Sequence, residues 1–167
     1  MTDKLDKLVK TLFAEQTKFY DKSKSKSKSK TNTNFKKIPF EMAIYSLLYI
    51  IHYLEDHNYT LSHICLKDFV IHDNILFLNS AVHLVELKGD YFSYESVGKN
   101  GIEFFTKNME NRMHKTNVYE SIAYFIYYLL LHKVKNELNE NDLSKIFETK
   151  PYYFIRNAIQ DKCLIYL

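Results

Sequence analysis

The sequence predicts a mostly helical α+β domain with a small antiparallel β-ribbon and a central buried helix. Residues 122–131 contain no charged or strongly polar side chain, and a helix that is apolar on every side belongs in a core. Apolar residues recur at three- and four-residue spacing in residues 3–20 and 39–56, as in amphipathic helices. Between residues 62 and 92 the apolar period shortens toward two, which is typical of strands. With 167 residues, 46% of them hydrophobic, the chain is expected to form one domain of ordinary size.

The N-terminal segment, residues 1–21, is predicted to form one amphipathic helix. A helix of this length is only marginally stable alone, so its apolar stripe must pack on this domain or on another protein. The side chains of the stripe share one helix face and are the predicted partner-binding residues: Leu5, Leu8, Val9, Leu12 and Phe13.

Residues 22–38 are predicted to be a flexible linker to the main domain, which spans residues 39–167. The run KSKSKSKSKTNTN has no apolar side chain whose burial could offset the entropy cost of ordering it. A solvated tether is the simplest interpretation, and the alternative is nucleic-acid association through phosphate contacts. The candidate anion-binding residues are Lys22, Lys24, Lys26, Lys28 and Lys30.

Within the main domain, Pro39 suits the first position of a helix that should end near Asp56. Short apolar runs at 69–71, 75–78 and 82–87 then predict two or three antiparallel strands. The clusters HDN and NSA between these runs are typical of turns.

The alternation in the third run places His83 and Glu86 on the polar, solvent-exposed face of a strand. Residues 93–116 are expected to form a loop with a short helix near 102–107. After the buried helix at 117–131, two shorter helices complete the predicted domain.

The first of these two helices is expected to be capped by Asn141 or Asp142. Pro151 opens the last helix.

The composition excludes several common classes of site. There are only 3 glycines and no glycine-rich nucleotide motif, so neither a nucleotide nor another cofactor is expected. Arginine, the usual reader of phosphates and bases, occurs only at Arg112 and Arg156. Cys65 and Cys163 lie in apolar surroundings without a second ligand at zinc spacing, and we expect reduced, inert thiols in an intracellular protein.

Five histidines occur within a short stretch of sequence: His52, His57, His63, His72 and His83. A metal site needs a defined geometry that their spacing does not supply, so we expect hydrogen-bonded or surface histidines and no metal site. The neighbours Ser62 and His63 are expected to be poorly placed for a nucleophile–base pair.

No signal sequence or membrane span is expected. The N-terminus is charged from Asp3 onward and lacks an apolar signal core. The apolar run of the central helix is shorter than the about 20 residues that cross a bilayer.

The order of elements and several residues resemble the C-terminal lobe of protein kinases. The segment KDFVIHDNILFLNSAVHLVELKGDYF lies where that family has the catalytic loop, of the form H-R-D-L-K-x-x-N, and the later D-F-G motif. NVYESIAYFIYYLL is similar to the family's buried helix, which begins D-V-Y-S-x-G, and IRNAIQDKCLIYL is similar to a late helix of the lobe. The resemblance covers residues 39–167 and implies a kinase-like fold.

The departures from the family pattern imply a pseudokinase remnant. In one register Asn74 stands at the metal-binding asparagine, and Phe69, Ile71 and Glu86 replace the catalytic Asp, the Lys and the D-F-G Asp. In a second register His63 aligns with the first histidine of the loop.

In that second register Cys65 replaces the catalytic Asp, Val70 the Asn, and residues 79–81 stand at D-F-G. Both registers lack the carboxylate that phosphoryl transfer requires. The nucleotide-binding first lobe is also missing from the sequence pattern, so no kinase activity is expected.

We therefore expect a non-catalytic protein-interaction or structural module that binds other protein subunits, of its own kind or of another. The composition, rich in Lys, Asn, Ile, Tyr and Phe, is typical of an AT-rich genome, such as that of a large DNA virus or an AT-rich protist. This origin would suit a cytoplasmic protein or a component of a virus particle.

Overall fold

The computed structural model describes most of the chain. The described residues are 2–21, 31–32, 35–96, 98, 101–106 and 109–166.

The described residues form an α+β fold with five α-helices and nine short strands. The helices are α1 (Thr2–Asp21), α2 (Phe40–Asp56), α3 (Asn117–Leu131), α4 (Glu140–Ser144) and α5 (Lys150–Arg156). The strands are β1 (Thr31–Asn32), β2 (Tyr59–Leu61), β3 (Ile64–Cys65), β4 (Phe69–His72), β5 (Ile75–Leu78), β6 (Leu84–Glu86), β7 (Tyr91–Ser93), β8 (Glu103–Phe104) and β9 (Arg112–His114). Short 3-10 turns precede α2 and β4, and a π-helical turn, Asn157–Asp161, follows α5.

Helix α3 is the centre of the core, as the sequence predicts. Every residue from Val118 to Leu129 is buried, including the polar Glu120 and Ser121. The helix contacts α2 and α5 together with strands β3 and β8. It ends at His132, which adopts a left-handed conformation (φ 57°) and donates its backbone N–H to the Tyr128 carbonyl.

The strands form one three-stranded sheet and three two-stranded pairs, all antiparallel. The larger sheet has the order β1-β4-β5, and helix α2 packs on β5. The pairs are β2-β6, β3-β8 and β7-β9. The predicted ribbon is therefore present as the β4–β5 hairpin, although the strands after it pair elsewhere.

Helix α1 packs on strand β5 of the chain itself. Val9 and Leu12 are buried in the main core, and Leu5 and Leu8 pack against it. The ring of Phe13 lies 4.8 Å from that of Phe77 on β5. Of the two alternatives for the apolar stripe, the structure thus has the intramolecular one.

Two sequence-based expectations about the middle of the chain are wrong. Residues 103–104 form strand β8, which pairs with β3, where a short helix was expected. The third apolar run was expected to bury Val82 and expose His83, but the structure shows the reverse. Val82 is 69% exposed and His83 is buried. Strand β6 begins at Leu84, so His83 lies in the preceding turn and does not follow the strand alternation.

The two C-terminal helices are shorter than α3, as predicted, but the first has a different cap from the one expected. The cap of α4 is Asn139, which forms a reciprocal capping box with Asp142, so the expected caps at Asn141 or Asp142 are off by two or three residues. Helix α5 has Pro151 in its first turn and ends at Arg156, and the chain leaves the π-helical turn at Lys162.

Among the residues that the structure describes, none of the helices combines the length and apolarity that a membrane span requires.

Candidate functional site

Five polar side chains meet in the interior between the short strand pairs. This buried cluster consists of Ser62, His63, Asp68, His83 and Glu103. Each side chain in it is at least nine-tenths buried. Buried ionisable groups are uncommon unless they are paired, so this cluster is the strongest candidate for a functional site in the described part of the chain.

Backbone pairing from two separate ladders positions the two histidines and Glu103. Leu61 pairs with Leu84 in the β2–β6 ladder, and the next N–H along, that of Ser62, donates to the His83 carbonyl at 3.0 Å. His63 and His83 therefore lie together at one end of this ladder. Glu103 is brought beside them by the β3–β8 pair, in which it lies opposite Cys65.

Asp68 joins the cluster from the 3-10 turn, Leu66–Asp68, that leads into β4. Its carbonyl accepts a hydrogen bond of 2.8 Å from the N–H of Asn79, at the end of β5, which fixes the turn against the hairpin.

The side chains form two hydrogen-bonded sets that lie beside each other, Ser62–His63–Glu103 and His83–Asp68. The Ser62 hydroxyl lies 2.9 Å from His63 Nδ1, and His63 Nε2 lies 3.0 Å from Glu103 Oε1. His83 Nε2 is 3.8 Å from the same carboxylate oxygen, and its Nδ1 is 2.6 Å from Asp68 Oδ2. The two imidazole rings lie 4.4 Å apart in an edge-to-face arrangement. Both histidines thus direct Nε2 at Glu103 while a different polar group holds each Nδ1.

Burial sets the protonation of His63 and Cys65. Burial lowers the pKa of His63, and the hydrogen bond with Glu103, which acts in the opposite direction, does not overcome it. Phe105 covers the other side of the ring, stacked at 4.1 Å between centroids. Burial also raises the pKa of the neighbouring Cys65 thiol to about 11, so the thiol is neutral at pH 7.

A cavity of about 420 Å³ lies beside the buried cluster. Glu103 and Phe105 contribute to its wall, together with Gly101, Ile102, Val134, Lys135 and Asn136. The buried cluster therefore lies next to a recess in the surface.

The sequence did not reveal this cluster. The strand alternation predicted His83 on an exposed face with Glu86, whereas in the structure His83 is 4% exposed and only Glu86 is exposed. Ser62 and His63 are hydrogen-bonded although they are adjacent, contrary to expectation. His63, His83 and Glu103 are each about twenty residues apart along the chain, so no local spacing marks them.

The degenerate catalytic-loop residues are not brought together with this cluster. Phe69 and Ile71 are buried in the apolar core. Asn74 is exposed in the β4–β5 turn, where its backbone has φ 65°, and Glu86 is exposed at the end of β6. The predicted anion-binding lysines, Lys22, Lys24, Lys26, Lys28 and Lys30, lie outside the described residues.

The predicted partner-binding residues on α1 contact the protein's own core, and two of them are buried there. Val9 is 5% and Leu12 0% exposed, so neither can reach another protein without unfolding α1 from the sheet. The reason is that β5 itself is apolar on both faces, with all four residues buried, and needs a cover.

A second feature is an exposed aromatic strip along α1, α2 and the C-terminal segment. Phe19 is 57% and Tyr45 is 48% exposed. The ring of Phe19 lies 5.1 Å from that of Tyr49, and the ring of Tyr45 lies 5.3 Å from that of Tyr166. Tyr45 and Tyr49 are one helical turn apart on α2 and therefore share a face. We call Phe19, Tyr20, Tyr45, Tyr49 and Tyr166 the aromatic strip.

Comparisons with protein-family models, with curated proteins and with solved structures found no match to this chain. The resemblance to protein kinases therefore depends only on the quoted residues and on the order of the elements.

Proposed function

We propose that the chain is a non-catalytic module that binds other protein subunits, in the first place further copies of itself, through the aromatic strip. The exposed rings of Phe19 and Tyr45 carry this proposal, because tyrosine and phenylalanine are enriched in protein interfaces and large exposed apolar groups mark them. A structural role in an assembly, such as a virus particle, is part of the proposal.

The positions of the residues that align with the kinase catalytic loop support a module without kinase activity. Phosphoryl transfer needs an accessible carboxylate that orients the hydroxyl and further groups that hold the metal ions. In the first register Phe69 is a core residue and Asn74 lies in a hairpin turn. In the second register Cys65 offers a buried, neutral thiol at the catalytic position.

We also propose that the fold is that of a kinase-like lobe. The order of α2, the β4–β5 hairpin, a long segment, the buried α3 and two short helices supports it. In this interpretation the chain keeps the helical scaffold of such a lobe and uses its surface for assembly.

The proposal is tested by charging the aromatic strip. Phe19→Arg with Tyr45→Arg places two cations among the exposed rings, and Val134→Arg is the control because Val134 is 55% exposed and lies outside the strip. We expect the parent and the control to self-associate in sedimentation velocity and the double variant to be monomeric. Circular dichroism should show the same helix content for all three proteins.

A parent chain that stays monomeric over the whole accessible concentration range would contradict the proposal. Equal association of the double variant and the parent would also contradict it, since the rings would then not be the contact.

A further inference from the structure

We propose that His63, His83 and Glu103 form a binding site for a divalent first-row transition metal ion, with Zn²⁺ as the preferred ion. This site is separate from the aromatic strip and does not depend on the function proposed above. The ligand atoms are His63 Nε2, His83 Nε2 and one carboxylate oxygen of Glu103.

The spacing of the ligand atoms suits one metal ion. The three groups can offer ligand atoms that all lie within 4.8 Å of one another. Glu103 Oε1 is 3.0 Å from His63 Nε2 and 3.8 Å from His83 Nε2. Tetrahedral coordination with bonds of roughly 2.0–2.1 Å places ligand atoms about 3.3 Å apart. The two separations from Glu103 Oε1, 3.0 and 3.8 Å, lie on either side of this value.

The outer hydrogen bonds suit binding of each imidazole through Nε2. Asp68 Oδ2, 2.6 Å from His83 Nδ1, accepts the Nδ1 proton and so leaves the Nε2 lone pair directed at Glu103. His63 Nε2 donates its proton to the Glu103 carboxylate at 3.0 Å, and a metal ion would take the place of that proton. The Ser62 hydroxyl, 2.9 Å from His63 Nδ1, can then accept a proton from Nδ1, because a hydroxyl both donates and accepts. Metal-bound histidines in proteins regularly have such partners on the second nitrogen.

The cluster also combines ligand types that zinc binds. Glu103 contributes a carboxylate whose side chain is about 3% exposed, and His63 and His83 contribute imidazole nitrogens that are buried with it. Histidine nitrogens and carboxylate oxygens are common zinc ligands.

A second possible ligand set, Cys65, Asp68 and His83, fits less well. Asp68 Oδ2 and His83 Nδ1 are only 2.6 Å apart, which is a hydrogen bond and is shorter than the separation of two ligands on one metal ion. The geometry therefore assigns Asp68 to orienting His83 and leaves Cys65 as a neighbour.

Two nitrogen ligands and one carboxylate leave one tetrahedral position open, as in sites where zinc also binds water. Glu103 also lines the cavity of about 420 Å³, so the proposed site lies next to a recess in the surface. The neutral nitrogen and carboxylate ligands favour zinc, copper or nickel over magnesium and calcium.

The experiment measures Zn²⁺ binding to the full chain after removal of metal with a chelator. Isothermal titration should show one Zn²⁺ per chain, and Co²⁺ in its place should give the intense visible absorption of a four-coordinate ion without a thiolate charge-transfer band. Glu103→Gln should abolish binding. Asp68→Asn, which keeps an oxygen acceptor for His83, should weaken it by roughly 10- to 100-fold at unchanged stoichiometry.

Two matched controls complete the test. His52→Gln removes an exposed histidine and Cys65→Ser removes the thiol, and both should bind Zn²⁺ like the parent. If Glu103→Gln does not fold, the parent, the two controls and Asp68→Asn still decide the question. A parent that binds no Zn²⁺ would overturn the proposal and leave the cluster a hydrogen-bonded histidine–carboxylate network. A loss of binding in Cys65→Ser, or parent-like binding in Asp68→Asn, would overturn the assigned ligand set.

Discussion

The side chain of Gln16 donates a hydrogen bond of 2.9 Å from Nε2 to the carbonyl oxygen of Leu76. This bond joins α1 to β5, and both groups are buried. Together with Leu12, one turn earlier on the helix and fully buried, it fixes the position of α1 over the sheet.

We expect α1 to be a stability element of the domain. Leu12→Ala removes a buried side chain and should lower the free energy of unfolding by about 2–5 kcal/mol. Gln16→Leu leaves the Leu76 carbonyl without its donor and should cost about 1–3 kcal/mol. The exposed neighbour Glu15→Ala should change stability by less than about 0.5 kcal/mol. Urea unfolding followed by circular dichroism measures all three, and parent-like stability of Leu12→Ala would show that α1 is not packed as described.

The carboxylate of Glu120, at the start of the central helix, is shared by two partners. Lys162 Nζ lies 2.6 Å from its Oε1, and the Tyr124 hydroxyl donates to its Oε2 at 2.9 Å. We expect Lys162→Met to destabilise the chain by about 1–2 kcal/mol, below the cost for a fully buried pair, because the Lys162 side chain is 39% exposed. Lys145→Met, at an exposed position, is the control.

Thermal unfolding at low and high salt measures this effect. The deficit of Lys162→Met relative to the parent should shrink only slightly in high salt, since one member of the pair is largely buried. A deficit that disappears in high salt would instead indicate an ordinary surface pair.

The ion pair between Lys135 and Asp142 predicts that the stability of the fold falls as the pH is lowered into the acid range. The hydrogen bond from Lys135, 2.6 Å long, holds the pKa of Asp142 below its usual value of 3.8. A carboxyl whose pKa is lower in the folded state stabilises that state above the unfolded pKa and loses this contribution as the pH falls. The contribution is therefore complete above pH 3.8 and is lost below it.

Lys135→Met should raise the midpoint of acid unfolding, because Asp142 then protonates at a higher pH. The control Lys133→Met, two residues earlier and exposed, should leave the midpoint unchanged. Acid titration monitored by circular dichroism makes the comparison, and equal midpoints for parent and Lys135→Met would contradict the assigned pair.

The lysine–serine run predicts weak, salt-dependent nucleic-acid binding as an alternative activity. Replacing Lys22, Lys24, Lys26, Lys28 and Lys30 with serine removes five positive charges. If the run contacts phosphates, binding to mixed-sequence DNA should be lost in the variant, and in the parent it should fall steeply with salt. Fluorescence anisotropy at ~50 mM salt tests this, and an absence of binding by the parent would end the alternative.

No nucleotide binding is expected if the chain is a pseudokinase remnant. ATP with Mg²⁺ should leave the melting temperature unchanged, because a ligand raises it only when it binds the folded state. A shift that Glu86→Ala abolishes would contradict this expectation and would restore a catalytic interpretation of that residue.

The sequence predicted the helices that carry a strong local signal. The bounds of α3 and the end of α2 at Asp56 agree with the structure, because hydrophobic spacing and flanking residues determine both. The short strand β8 could not be predicted, because two residues have no periodicity and its partner β3 lies some forty residues earlier. The buried cluster could not be predicted for the same reason, because pairing in two separate strand ladders brings His63, His83 and Glu103 together.

The attachment of α1 has a consequence for how two copies of the chain can combine. Its contacts, through Leu12, Gln16 and Phe13, join it to β5, while residues 22–39, which include the lysine–serine run, separate it from α2. A second copy offers an identical β5, so two chains that exchange α1 make the same contacts as one chain alone. The choice between the closed monomer and the exchanged dimer then depends on the effective concentration that the connecting residues impose, and high protein concentration during refolding favours exchange.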